Sequence, residues 1–180
     1  MTIAGAGFIA AGVVVYIMGS QTQVGWLYMF DAIIWSMLLL SFVFPRWSLR
    51  TLRVERQVWV SQSSGSPPGT ATPMEDEEVE VRLKVGNRGR LARHLVKLVD
   101  DTPLDGPSRR PRVFLLSTVG SGATVAFGYS ATCHRRGRFG SATATLETSA
   151  PLGLFVGRRR FQLPLDVTVY PMQLRMDGAL

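Results

Sequence analysis

The chain has 180 residues, 46% of them hydrophobic, with a formal net charge of +7 and a pI of about 10.5. That length allows one core-forming body with appendages, and the single cysteine, Cys133, excludes an internal disulfide. All 20 basic residues and 12 of the 13 acidic ones lie beyond Pro45, so a nearly uncharged leader precedes a body of net charge +8.

Ile3–Met18 is an apolar run of about 16 residues without a charge, the short end for a membrane-crossing helix. A secretory signal needs a positive segment before its apolar core, and Met1-Thr2 supplies none. Gly19–Gln23 leaves room only for a tight turn. Val24–Phe44 then gives roughly 21 residues with one charge, Asp31, enough to cross a bilayer. Residues 1–45 are therefore expected to form a two-helix transmembrane hairpin with spans at 3–18 and 24–44, the second stopped by Pro45 and Arg46. Ala6/Ala10 and Gly7/Ala11 offer small residues at helical spacing for close helix packing. Asp31 is a membrane-embedded polar residue and by default a functional candidate, although two helices alone make no transport path. Arg46, Arg50, Arg53 and Arg56 follow the second span. By the positive-inside rule the N-terminus and the body lie on the cytoplasmic side of an integral, multi-pass membrane protein.

Leu49–Val60 is the first strand candidate, with Leu52, Val54, Val58 and Val60 on one parity and Arg56 interrupting it. Ser61–Pro73 is rich in Ser, Pro, Gly and Thr, and reads as a flexible loop between strands. Glu78–Val85 alternates strictly: Val79, Val81, Leu83 and Val85 against Glu78, Glu80, Arg82 and Lys84, the mark of a half-buried antiparallel strand. Asn87-Arg88-Gly89 is a turn, and Leu91–Val99 and Val113–Val119 are strand-like. Ala123–His134 places Val125, Phe127, Tyr129, Ala131 and Cys133 inward. Arg135–Gly140 reads as a turn, Ser141–Thr148 as a strand, and Phe161–Val169 as another. About seven short strands with turns between them predict an immunoglobulin-like antiparallel β-sandwich over 46–180.

No catalytic constellation accompanies this framework. Cys133 and His134 are neighbours on a predicted strand, so their side chains diverge and cannot act as nucleophile and base. With His94 they make no zinc set. Gly120-Ser121-Gly122-Ala123-Thr124 lacks the lysine of a phosphate-binding loop, and Glu75-Asp76-Glu77-Glu78 reads as a solvated strand entrance. The sequence identifies no cofactor, metal or small-molecule substrate, and the chain reads as non-enzymatic. Three arginine clusters remain: Arg109-Arg110-Pro111-Arg112; Arg135, Arg136 and Arg138; and Arg158, Arg159 and Arg160. Phe139 and Phe161 lie beside two of them, but the aromatic spacing fails the RNA-binding pattern. They are read as solvated turns, or as turns facing anionic headgroups. Both triplets are candidates for an interaction surface.

Several motifs resemble the bacterial and archaeal membrane proteins filed as domain-of-unknown-function family 58. They are Leu52-Arg53-Val54-Glu55-Arg56, Val85-Gly86-Asn87-Arg88-Gly89-Arg90, Asp100-Asp101-Thr102-Pro103, Arg135-Arg136-Gly137-Arg138-Phe139-Gly140, Pro151-Leu152-Gly153-Leu154-Phe155 and Val169-Tyr170-Pro171. Gly137, Pro151, Gly153 and Pro171 are the turn residues of these motifs. The sequence departs from the pattern at Ala150, where the family usually has Asp, and at Leu152, where it has Phe. The resemblance implies a non-enzymatic scaffold in an assembly linked to a MoxR-type AAA+ ATPase or in a cell-envelope system. It also implies a partial member, because the family usually continues into a von Willebrand factor A-like half. The partners expected are the lipid bilayer and that ATPase or other membrane proteins. The alternative is a basic, membrane-tethered module that binds nucleic acid or anionic lipid directly.

Overall fold

A computed structural model of the chain describes residues 2–60, 73–105 and 110–171. The Thr2 hydroxyl accepts from the Gly5 N–H at 3.2 Å and so opens α1 (Ile3–Thr22), which ends at Gln23 in a left-handed conformation. α2 (Gly25–Arg50) returns antiparallel to it. At 1.5 Å per residue the two helices are about 30 and 39 Å long, against roughly 30 Å of bilayer hydrocarbon. Only 17% of each apolar stretch is buried. A core helix of a water-soluble domain hides its apolar face, whereas here Phe8, Val14, Ile17, Phe30, Ile33, Leu39 and Val43 all point outward. The pair is built to be covered by lipid.

The helices meet on a face different from the one expected. Gly5, Gly12 and Gly19 are the buried residues of α1, spaced seven apart. A Cβ on Gly12 would lie 3.3 Å from Ile34 and 3.5 Å from Trp35, and one on Gly19 would lie 3.4 Å from Leu27. Ala6, Ala10 and Ala11 are exposed, and nothing lies within 4 Å of a Cβ on Gly7. Small residues permit contact on either face; the position of α2 decides which one is used. Asp31 lies on the α2 stripe of Leu27, Ile34 and Leu38, half-buried, and its Oδ1 has no hydrogen-bond partner among the described residues.

Pro45 does not end α2. The helix runs on to Arg50. Proline removes one N–H from the ladder, but the following turn carries Leu49, which is 1% exposed within the sandwich core, and Ser48, which is also buried. Packing of that turn outweighs one lost bond. Thr51 alone then separates the helix from β1 (Leu52–Val60).

The remaining strands among the described residues are β2 (Glu78–Asn87), β3 (Arg93–Asp101), β4 (Arg112–Val119), β5 (Thr124–Thr132), β6 (Gly137–Thr148) and β7 (Gly157–Val169), with a 3-10 turn at Pro103–Asp105. They form two antiparallel sheets, ordered β1-β2-β5 and β4-β3-β6-β7, packed as an immunoglobulin-like sandwich. The predicted alternation holds: Val79, Val81, Leu83 and Val85 are buried in one core with Leu98, Leu146, Leu165 and Val167 of the other sheet. Cys133 is buried in that core, and His134 is exposed beside Asp76 at 3.1 Å. Strand β6 begins at Gly137 and carries a bulge between Phe139 and Ser141, so the turn before it is shorter than the expected Arg135–Gly140. Residues 61–72 of the loop expected over Ser61–Pro73 lie outside the described residues, as does Arg109.

Arg56 does not interrupt the core but enters it. Its side chain is fully buried and ion-paired with Asp100, also fully buried, so that β1 of one sheet is tied to β3 of the other. Tyr129 on β5 donates to the second Asp100 oxygen at 2.5 Å. Burial, then the Asp100 carboxylate as charge and as hydrogen-bond acceptor, push the Tyr129 hydroxyl well above its ordinary range and hold it protonated. Arg56 Nε and Nη1 have no partner among the described residues, so this is an ionic contact bought with incomplete solvation.

Breaking such a pair by removing one side is costly, whereas exchanging the whole group for apolar residues is often neutral. Arg56→Met alone should lower the unfolding stability of the full chain in detergent by about 3–5 kcal/mol. The triple change Arg56→Met, Asp100→Leu, Tyr129→Phe should recover most of that loss. Chemical unfolding followed by tryptophan fluorescence checks both, and a single variant as stable as wild type contradicts the pair's role.

Candidate functional site

The sandwich has two ends, and the predicted site residues divide between them. One end is the joint with the helices. The last carbonyls of a helix lack partners within it and take donors from elsewhere; here the Thr51 N–H reaches Leu49 and its hydroxyl Ser48. Arg159 on β7 supplies a charged one: its Nη1 donates to the carbonyls of Leu49 at 2.9 Å, Arg50 at 2.8 Å and Leu52 at 3.4 Å. A cation at this end also suits the negative pole of the helix dipole. Two residues earlier, a Cβ on Gly157 would sit 2.8 Å from the Pro45 Cβ and 2.9 Å from its carbonyl carbon. Only glycine lets β7 approach the helix so closely.

The same end is closed by the segment connecting β6 to β7. Pro151 follows a cis peptide bond, and Gly153 adopts φ +72°, a left-handed conformation that favours glycine. Thr2 donates through its N–H to the Leu154 carbonyl at 3.2 Å and through its hydroxyl to Gly153 and Leu154 at 3.1 and 2.7 Å. Leu154 is buried, and Phe155 meets Phe42 of α2 edge-on at 5.6 Å. The motif Pro151-Leu152-Gly153-Leu154-Phe155 is thus the seat of the hairpin. Asn87 knits the neighbouring turns: its Nδ2 donates to Leu91, Val119 and Gly120 carbonyls at 2.8, 3.1 and 3.1 Å, and its Oδ1 accepts from the Gly89 N–H. Arg93 donates to the Thr51 hydroxyl at 3.3 Å and lies 4.9 Å from the Trp47 ring centroid.

The other end carries the second triplet. β6 and β7 pair from Thr148–Gly157 at the joint to Gly137–Val169, which at about 3.3 Å per residue is roughly 40 Å of strand. Arg135, Arg136 and Arg138 are exposed there, far beyond the screening length of about 8–10 Å. Strands of this length separate these arginines from the joint. Gly137, at φ +137°, opens the turn, and Arg138 approaches Asp166 at 3.4 Å. Pro171 follows Tyr170 at the same end, where the Tyr170 N–H donates to the Pro73 carbonyl at 2.9 Å. The triplet Arg158, Arg159 and Arg160 does not act as one surface. Arg158 pairs with Glu147 at 2.7 Å, Arg159 turns in to the helix end, and Arg160 is exposed.

Sequence reasoning missed Arg159, Gly157, Asn87 and Arg93 as structural residues. An arginine exactly two residues past a glycine carries no signal by itself, since its partners are 107–110 positions away. Among the described residues, no group of three or more His, Cys, Asp or Glu could hold a metal ion.

Neither a protein-family model nor a curated protein sequence matches the chain. Solved structures similar to parts of it include an exo-β-N-acetylglucosaminidase from Vibrio harveyi (12% identity, TM-score 0.34, covering 72% of this chain and 20% of that one). Others are the alkylpurine DNA glycosylase AlkC of Pseudomonas fluorescens (10%, 0.28, 75% and 38%) and a β-glucosidase from Listeria innocua (15%, 0.27, 67% and 17%). The chain spans between a sixth and two fifths of these proteins, and likenesses of this size carry no argument about activity. What the structure itself defines is two apolar helices of membrane-crossing length joined without slack to an antiparallel sandwich.

Replacing Arg159 by Gln leaves the last carbonyls of α2 without a charged donor. The variant should lose about 1.5–3 kcal/mol, the worth of hydrogen bonds to a charged group, whereas Arg160→Gln, at an exposed position, should stay within about 0.5 kcal/mol of wild type. Thermal unfolding of the two variants in the same detergent separates them; equal midpoints contradict the capping role.

Proposed function

We propose that the chain is a non-enzymatic interaction module of the family 58 kind, made of a transmembrane hairpin (1–45) and a β-sandwich (46–180). The observation that carries this reading is the seating of the sandwich on the helix ends through Arg159, Gly157 and Thr2, which turns Arg135, Arg136 and Arg138 toward the end away from the helices. On this reading the body lies on the cytoplasmic side, because Arg46, Arg50 and Arg53 follow the second span while the turn between helices carries no charge. Arg135, Arg136 and Arg138 form the contact surface, a cationic tip suited to an acidic patch on a protein. The resemblance in sequence motifs supports a MoxR-type ATPase, or another membrane protein of such an assembly, as that partner.

A photo-crosslinking amino acid placed at Arg136 in living cells tests side and partner together. The expected product is an adduct with a cytoplasmic MoxR-type ATPase that falls at least tenfold when Arg135 and Arg138 are both changed to Gln. Adducts formed only with proteins from the far side of the membrane would contradict the reading.

A further inference from the structure

A hollow of about 300 Å³ lies on the outer face of the β1-β2-β5 sheet, close to the joint. The strand register explains it. Arg53, Gly86 and Thr124 form one row across the three strands, and Glu55, Lys84 and Ala126 form the next row outward-facing. Gly86 is in the central strand and has no side chain, so a gap opens between Arg53 and Thr124. Arg88 and the Gly122–Thr124 turn close the end nearest the membrane.

Three cations therefore ring one cup, with one carboxylate, Glu55, on the wall beside Lys84. None of Arg53, Lys84 and Arg88 forms an ion pair among the described residues, although other exposed arginines do, such as Arg82 with Glu80 at 2.9 Å and Arg158 with Glu147 at 2.7 Å. Three positive charges against one negative leave the cup with a net positive charge, which favours an anion. Guanidinium groups suit a phosphate in particular, since they donate in pairs to its oxygens.

The position of the cup narrows the source of that phosphate. α2 is about 9 Å longer than the hydrocarbon layer is thick, so on the membrane-anchored reading its C-terminal end reaches the headgroup layer. Arg53 is three residues past the end of α2, and the Arg88 N–H donates to the Thr51 carbonyl at 3.0 Å. On the membrane-anchored reading the cup therefore lies beside the headgroup layer.

We infer that this cup binds the phosphodiester of an anionic glycerophospholipid from the leaflet on which the sandwich sits. Arg53, Lys84 and Arg88 hold the phosphate oxygens, and the Thr124 hydroxyl donates beside them. Glu55 accepts from headgroup hydroxyls and repels a second carboxylate, which favours a glycerol headgroup over a serine one. The inference rests on the membrane-anchored reading above and assigns its body a lipid that fixes its height and rotation at the bilayer.

Native mass spectrometry of the full chain, released from detergent micelles doped with single lipids, tests it. Wild type should retain phosphatidylglycerol at least tenfold over phosphatidylcholine, and phosphatidylserine at an intermediate level. Arg53→Gln with Arg88→Gln, both exposed positions, should reduce phosphatidylglycerol to the phosphatidylcholine level. So should Gly86→Val, which fills the cup without touching its charge; its Cβ meets only the Thr124 hydroxyl, at 3.3 Å. Arg135→Gln with Arg136→Gln should change nothing. Unaltered phosphatidylglycerol retention in the double variant overturns the site, and so does its displacement by inorganic phosphate at low millimolar concentration, which would make the cup a site for free phosphate. Release of wild type from membranes by alkaline carbonate, without detergent, would instead overturn the membrane anchoring on which the inference stands.

Discussion

Thr51 is the only residue between a membrane-length helix and the first strand of a sandwich, and that shortness governs much of the structure. A helix end in a flexible linker finds water for its last carbonyls. This one lies against the sandwich, which provides a charged donor of its own. Arg159 does so from a strand more than 100 residues later, and Gly157 lets that strand come within reach. Thr2 ties the start of the other helix to the same end. Both helices thus engage the body, and the hairpin acts as a mount with no slack in it.

The interior of the sandwich shows the same preference for definite geometry over maximal burial. Leu83, Leu98, Leu146 and Leu165 would fill a core without help. Arg56, Asp100 and Tyr129 instead place a charged, hydrogen-bonded set between the sheets. Such a group is weak evidence for stability, because taking two ions out of water is expensive. Its effect is on register. A slip of β1 by one residue would turn Arg56 outward and leave Asp100 buried without its counter-charge. Because β1 is also the strand tethered to α2, fixing its register fixes how the whole body stands on the helices.

The sheet framework was legible in the sequence because period-two alternation reports local facing directly. Val79 to Val85, Ala142 to Leu146 and Leu163 to Val169 bury the predicted side. The helices were legible from length and lack of charge. What escaped were the features that depend on partners distant in the chain. Pro45 looks like a stop until Leu49 is seen in the core. Arg56 looks like part of the cationic exit until Asp100 appears opposite it. Gly7 and Ala11 look as suited to packing as Gly12, and only the placement of α2 separates them. The three arginines at 158–160 read as one patch, yet the strand's alternation and the helix end give each a different neighbour. The motif Pro151 to Phe155 was visible as a motif, but its role as the seat of the hairpin was not.

The account stands on a body held in one orientation by the helix pair. Spin labels at Gln21, in the last turn of α1, and at His134, at the far end of the sandwich, on a Cys133→Ala background report this directly through pulsed dipolar distance measurement in lipid nanodiscs. One narrow distance distribution, which broadens when Arg159 is changed to Gln, is the result predicted. A broad distribution in the unaltered joint, the same with and without Arg159, would show a body that swings on a loose tether and would contradict the account.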